Sequence, residues 1–213
     1  MPPTSTAEDA GVLWLAALQQ AVGRASHDVK DALNGVSVNL EVVRSRAARA
    51  GAPASGVVQF AEAAAQQLER LTNLVEAVLA LARPEREPAD VGVTLRRVAT
   101  LCGASASFAD ALVEVKQLGG DSATTSVRGD VVRLALMAPM LVMVSGTDSS
   151  HRLSPVRCTL QSDASTVTVA MVAEGRRATM PDAVAEVLRV GGVRWEHGKD
   201  GDTMDFSLAF PRA

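Results

Sequence analysis

The sequence predicts an α+β protein: an N-terminal helical hairpin that dimerises into a four-helix bundle, followed by a small α/β sandwich. Three observations carry this. Apolar residues recur at helical spacing through the first 83 positions, a proline-bearing stretch RPEREPAD interrupts them, and beyond it strand-like segments alternate with helical ones. The expected boundaries are 1–83 for the hairpin, 84–90 for a linker and 91–213 for the second unit.

In the first helix, Ser5 with Glu8 forms a capping box ahead of Ala10. Leu15, Val22, Val29, Val36 and Val43 then recur every seven residues, with Ser26, Leu33, Leu40 and Ala47 between them, which predicts one long helix with a narrow apolar seam. The segment RAGAPASG ends it, and Ser55 is the natural N-cap of a second helix. There Ala61, Ala64, Leu68, Leu71, Val75, Val78 and Ala82 repeat the seam, and Leu74, Leu79 and Leu81 widen it. Two helices alone cannot bury so broad a stripe, so two hairpins from two chains are expected to form the bundle, making the protein a homodimer. After the linker come a helix over 91–101, an unpatterned stretch 105–123, a helix over 130–144 and strands over 157–161 and 165–172. A helix over 181–190, ended by Gly191 and Gly192, and strands over 193–195 and 204–210 complete the chain.

Composition removes several classes of function. Twenty-one basic residues against 24 acidic ones give a formal charge of −3, with no excess to neutralise a nucleic-acid backbone. The most apolar run, 131–144, contains Arg133 and Pro139 and falls short of the roughly 20 residues that span a bilayer. Glu8 and Asp9 stand where a signal peptide needs positive charge, so a soluble cytoplasmic protein is expected. Cys102 and Cys158 have no metal-ligand spacing and read as small buried residues. His151 and His197 read as surface residues in a loop and a hairpin turn. Met137, Met140 and Met143 read as core filling, and Trp14 as packed near the bundle end.

The chemistry concentrates in RASHDVKDALNGVSVNLEVV. On a helix His27 falls about 100° from the seam, open to solvent, and Asp31, Asn34, Val38 and Glu41 follow it on one face. A carboxylate such as Asp28 beside an exposed imidazole can accept the proton of one ring nitrogen, leaving the other to present its lone pair as a nucleophile. Lys30 and Asp31 complete a polar cluster, which also reads as an ordinary solvated face.

The string His27-Asp28-Val29-Lys30-Asp31-Ala32-Leu33-Asn34 resembles the H-box of bacterial sensor histidine kinases, whose helical histidine accepts a phosphoryl group. The second helix, ending at Arg83, is similar to its counterpart in that family's dimerisation and phosphotransfer domain. Val127-Arg128-Gly129-Asp130 with Arg133-Leu134 is similar to the opening of the family's ATP-binding helix. Gly191-Gly192 and the run Thr203 to Pro211 resemble the end of that ATP-binding domain.

The departures shape what the resemblance implies. The two asparagines of the family's N-box fall on Met140 and Val144, and a valine cannot ligate Mg²⁺. Where the family's DxGxG box belongs stands Ala173-Glu174-Gly175-Arg176-Arg177, without the aspartate, and the segment to Gly191 has room for one helix but no glycine-rich lid. Ala32 replaces the usual proline, and Asp31 stands where bifunctional relatives carry Thr or Asn for phosphatase work. The resemblance therefore implies a phosphorelay histidine phosphotransferase with a degenerate ATP-binding domain. His27 and Asp28 are its expected catalytic residues, and Asn34, Val38 and Glu41 the expected receiver-binding face. No cofactor of its own and no ATP binding are expected, Mg²⁺ being held by the partner. Response-regulator receiver domains, with a hybrid histidine kinase among the candidates, are the expected partners. The alternative is a non-catalytic kinase-like scaffold that binds receivers or a kinase.

Overall fold

The computed structural model describes residues 5–48, 54–83, 88–103, 113–118, 122–145, 155–174, 179–200 and 203–213. Two long helices open the chain, α1 (Ser5–Ala47) and α2 (Ala54–Ala82). The side chains of Ser5, Glu8 and Ser55, expected to cap them, and the turn at 49–53 lie outside the described residues.

The single seam expected along α1 is two separate faces. Ala10, Trp14, Leu18, Ala21, Ala25 and Ala32 are buried within the protomer, whereas Leu15, Val22, Leu33 and Leu40 are exposed. On a helix of 3.6 residues per turn these two sets lie roughly 100° apart. Heptad reading found the leucine and valine face and missed the alanine face, because small residues give a weak apolar signal. Alanine is nevertheless what close packing selects, since it lets neighbouring backbones approach, and Ala10, Ala21 and Ala25 belong to the core that continues into α4. The same division runs along α2, where Ala64, Leu71, Leu74, Ala77 and Leu81 are buried and Leu68, Val75 and Leu79 are exposed. With the helices antiparallel, the two exposed stripes open on the same side of the hairpin.

The second unit starts with β1 (Ala89–Asp90), which lies within the stretch read as linker and pairs antiparallel with β3 (Thr124–Thr125). Asp90 then caps α3 (Val91–Cys102): its Oδ1 accepts a bond from the Val93 N–H at 2.8 Å. In the stretch expected to be unpatterned lies β2 (Val113–Leu118), an edge strand parallel to β4 (Val156–Ser162). After α4 (Gly129–Ser145) and β4 come β5 (Thr166–Glu174), α5 (Asp182–Val190), β6 (Arg194–Asp200) and β7 (Thr203–Pro211). The five-stranded sheet runs β2-β4-β5-β7-β6, antiparallel except at β2–β4. β6 is longer than expected, because its polar residues are held by register to β7. His197 consequently sits inside a strand opposite Phe206 rather than at a turn, its ring stacked 5.7 Å from that of Trp195. His151 lies outside the described residues.

Alternate residues of β4, β5 and β7, from Val156 and Val169 to Phe206 and Phe210, are buried on one face, as period-two patterning requires. Above that face lies α4, apolar all round and buried along nearly its whole length, including Met137, Met140, Met143 and Val144. It packs on α1, α3 and α5 as well as on β4, so the core is continuous from the sheet to Trp14, Leu18, Leu74 and Leu81 of the hairpin. Both cysteines are free and buried in it, and the Cys102 thiol lies 3.3 Å from Met137 Sδ. Burial pushes each thiol up to about 12, against an opposing pull from Arg24 at Cys102. No helix among the described residues is long and apolar enough to cross a membrane.

Candidate phosphotransfer site

Midway along α1 the chain RASHDVKDALNG runs without a helix break, so every side chain has a fixed azimuth. His27 is exposed, about 130° from the alanine face and about 130° from the leucine–valine face. The imidazole therefore projects from the one side of α1 that carries no apolar stripe. Asp31, Asn34, Val38 and Glu41 are exposed along the same side, and Glu41 is tied to Arg44 at 2.9 Å. Val38 is 63% exposed, a single apolar side chain on an otherwise polar surface. Lys30 is exposed at the margin of this stripe.

Asp28 departs from the group. It is half-buried and shares the azimuth of Ala21 and Ala32, so it flanks the imidazole rather than standing on the same face. The expected pair is thus adjacent in sequence and about 100° apart around the helix.

Two arginines with no expected role tie α4 to the hairpin, and one of them, Arg24, stands a turn from His27. Arg24, one turn before His27, extends its Nη2 to the Val144 carbonyl at the end of α4, at 3.3 Å. Arg133 of α4 is buried; its Nη1 donates to the Leu81 and Arg83 carbonyls at 3.0 and 2.6 Å, and its Nε to Gly129 O at 3.2 Å. Its guanidinium lies 5.1 Å from the centre of the Trp14 ring. A break in periodicity flags only Arg133, the one charge inside the apolar run 131–144.

At the opposite end of the resemblance, Asp130 accepts from the Val131 N–H at 2.9 Å and pairs with Arg128 at 2.6 Å. The side chains of Met140 and Val144 are in the core, and Glu174, at the end of β5, pairs with Arg157 at 2.9 Å. Gly175, Arg176 and Arg177 lie outside the described residues. Among the described residues no three His, Cys, Asp or Glu side chains are grouped to hold a metal.

No curated protein matches the sequence. Solved structures similar to the chain include the histidine kinase AdeS of Acinetobacter baumannii, 12% identical, with 87% of this chain and 97% of that one aligned at a TM-score of 0.46. A bacterial phosphotransferase is 12% identical over 98% of this chain and 99% of its own, at 0.49. The histidine kinase domain of the blue-light activated kinase of Erythrobacter litoralis is 13% identical over 89% and 94%, at 0.46. Domains of the His Kinase A type dimerise and act in two-component signalling with response regulators. Residues 17–87, which include His27 and most of both helices, match the family model of the His Kinase A (phospho-acceptor) domain.

Proposed function

We propose that the protein is a homodimeric histidine phosphotransferase that carries a phosphoryl group between receiver-domain aspartates through His27, without phosphorylating itself from ATP. The observation that carries this reading is an exposed imidazole within the matched phospho-acceptor residues, while Met140 and Val144, at the expected metal-ligating positions of α4, are buried apolar side chains. In the proposed step a ring nitrogen of His27 attacks the phosphorus of an aspartyl phosphate in line. The P–N bond forms as the P–O bond to the carboxylate breaks, and the aspartate leaves as a carboxylate. Asp28 accepts the proton of the other ring nitrogen from the flank and stabilises the positive charge that develops on the imidazole. Mg²⁺ is supplied by the receiver. The receiver docks along Asn34, Val38 and Glu41, where Val38 provides an apolar contact amid polar ones. Leu15, Val22, Leu33 and Leu40 of α1 with Leu68, Val75 and Leu79 of α2 form the face covered by the second copy, away from His27.

The test is transfer of labelled phosphate from a panel of phosphorylated receiver domains, beside a labelled-ATP lane and a His27→Ala control. Acid-labile label on His27 from a receiver and none from ATP is the expected result. Label from ATP would overturn the non-kinase part of the reading. Receiver binding without label from either source would replace it with the scaffold.

A further inference from the structure

We infer that Arg133 and Arg24 latch the α/β unit onto the hairpin, so that the phospho-acceptor helix and the sheet move as one body and the α/β unit does not swing across His27. The consequence for His27 rests on the function proposed above; the latch itself rests on geometry alone.

Arg133 binds both helices of the hairpin from a single position on α4. The Leu81 and Arg83 carbonyls to which it donates belong to the last turn of α2 and the residue just past it, where backbone acceptors lack partners within the helix. The guanidinium satisfies two of them and places its charge at the negative end of the α2 dipole. Its face meanwhile rests on Trp14 of α1. The second tie runs the other way, from Arg24 of α1 to the Val144 carbonyl in the last turn of α4.

The separation of the ties makes them a latch. Arg133 and Val144 are eleven residues apart on one helix, about 16 Å along its axis. One tie leaves a pivot, whereas two so far apart on a rigid rod remove rotation about either. Ala10, Leu18, Ala21 and Ala25 fill the space between them with buried apolar contact. An α/β unit held in this way cannot be carried over the imidazole, so the face of His27 stays open to an incoming domain.

The latch is tested by pulsed electron-spin distance measurement between labels at Glu69→Cys on α2 and Glu196→Cys on β6. Both positions are exposed, and the two native thiols are buried. The full chain is used, diluted with unlabelled protein so that only distances within a protomer are read. A single narrow distribution is expected for the native arginines. A distribution at least twice as wide is expected for the double variant Arg133→Met, Arg24→Gln, with an intermediate width for Arg133→Lys, which keeps one donor to the carbonyls. Arg24→Gln alone changes an exposed side chain and leaves the core intact, so it keeps the test open if the double variant does not fold; it too is expected to widen the distribution. A broad distribution in the unsubstituted chain, or a width unchanged by Arg24→Gln, overturns the latch. A narrow distribution in a protein that accepts no phosphoryl group at His27 overturns the proposed function and leaves the latch standing.

Discussion

Gly35 of α1 lies directly against the side-chain amide of Gln67 on α2: a Cβ at position 35 would stand 2.5 Å from Gln67 Nε2. Asn39, one turn on, donates from Nδ2 to Gln67 Oε1 at 3.4 Å. The two helices thus meet through small residues and an amide pair at this level. Gly35→Leu is expected to push the Gln67 amide aside, break its bond from Asn39 and lower stability by roughly 1 kcal/mol. Gly23→Ala, on the same helix but with nothing within 4 Å of the added carbon, is expected to stabilise the protein by roughly 0.5–1 kcal/mol through helix propensity. Denaturant midpoints of the two variants moving in the same direction would contradict this packing.

Leu33 and Leu71 separate assembly from folding. Leu33 is 50% exposed in the protomer and Leu71 is 8% exposed. Leu33→Asp is expected to yield a folded monomer by light scattering, with its helical circular dichroism retained. Leu71→Asp is expected to lower stability by roughly 3 kcal/mol or more, because a charge enters the interior of the hairpin itself. A Leu33→Asp protein that stays dimeric would show that the exposed stripe is not the dimer face.

His27 and Val38 test the polar side of α1. His27→Ala is expected to eliminate phosphoryl acceptance while shifting stability by less than about 0.5 kcal/mol, since the side chain is exposed. Val38→Asp is expected to raise the receiver concentration needed for half-maximal transfer while leaving the rate at saturation within about twofold. A change in the saturated rate alone would move Val38 from docking to chemistry.

The two thiols give the alkaline behaviour a sign. Burial pushes both up to about 12 in the folded chain, whereas an unfolded cysteine ionises near 8.5. Between these values the unfolded chain releases protons that the folded chain keeps, so stability falls as pH rises, by up to about 1.4 kcal/mol per pH unit for each thiol. Cys158→Ala is expected to have a lower denaturation midpoint at pH 8 but a shallower decline from pH 8 to pH 10. Equal slopes in the two proteins would rule out thiol ionisation as the cause.

The elements with strong periodicity were legible in the sequence. The helices of the hairpin, α3 to α5, and strands β4, β5 and β7 stand within a few residues of their expected places, because burial on one face imposes a regular pattern. The edges were harder to read. β2 carries a period-two VEVK, but flanking glycines and serines and a single strand neighbour leave it little apolar content. The exposure of His27 followed from its azimuth alone, and so did the company of Asn34, Val38 and Glu41. The half-buried setting of Asp28 did not, because it depends on the alanine face that hydrophobicity underweights. Nor did the ties of Arg24 and Arg133, since a long cationic side chain gives no sign in sequence of which distant carbonyls it will reach.

The cap that Arg133 places on the end of α2 also bears on the order in which the protein is made. Both hairpin helices are complete at Ala82, but the residue that closes the end of the second lies in α4, which finishes at Ser145. At the usual 5–20 residues per second of synthesis, roughly 3–12 s separate these events. During that interval Trp14, Leu18 and Leu81 have no α4 to cover them, beside a leucine stripe that awaits a second chain. The nascent hairpin is thus the segment most exposed to chaperones and to premature association, and translation through α4 is the step that relieves it.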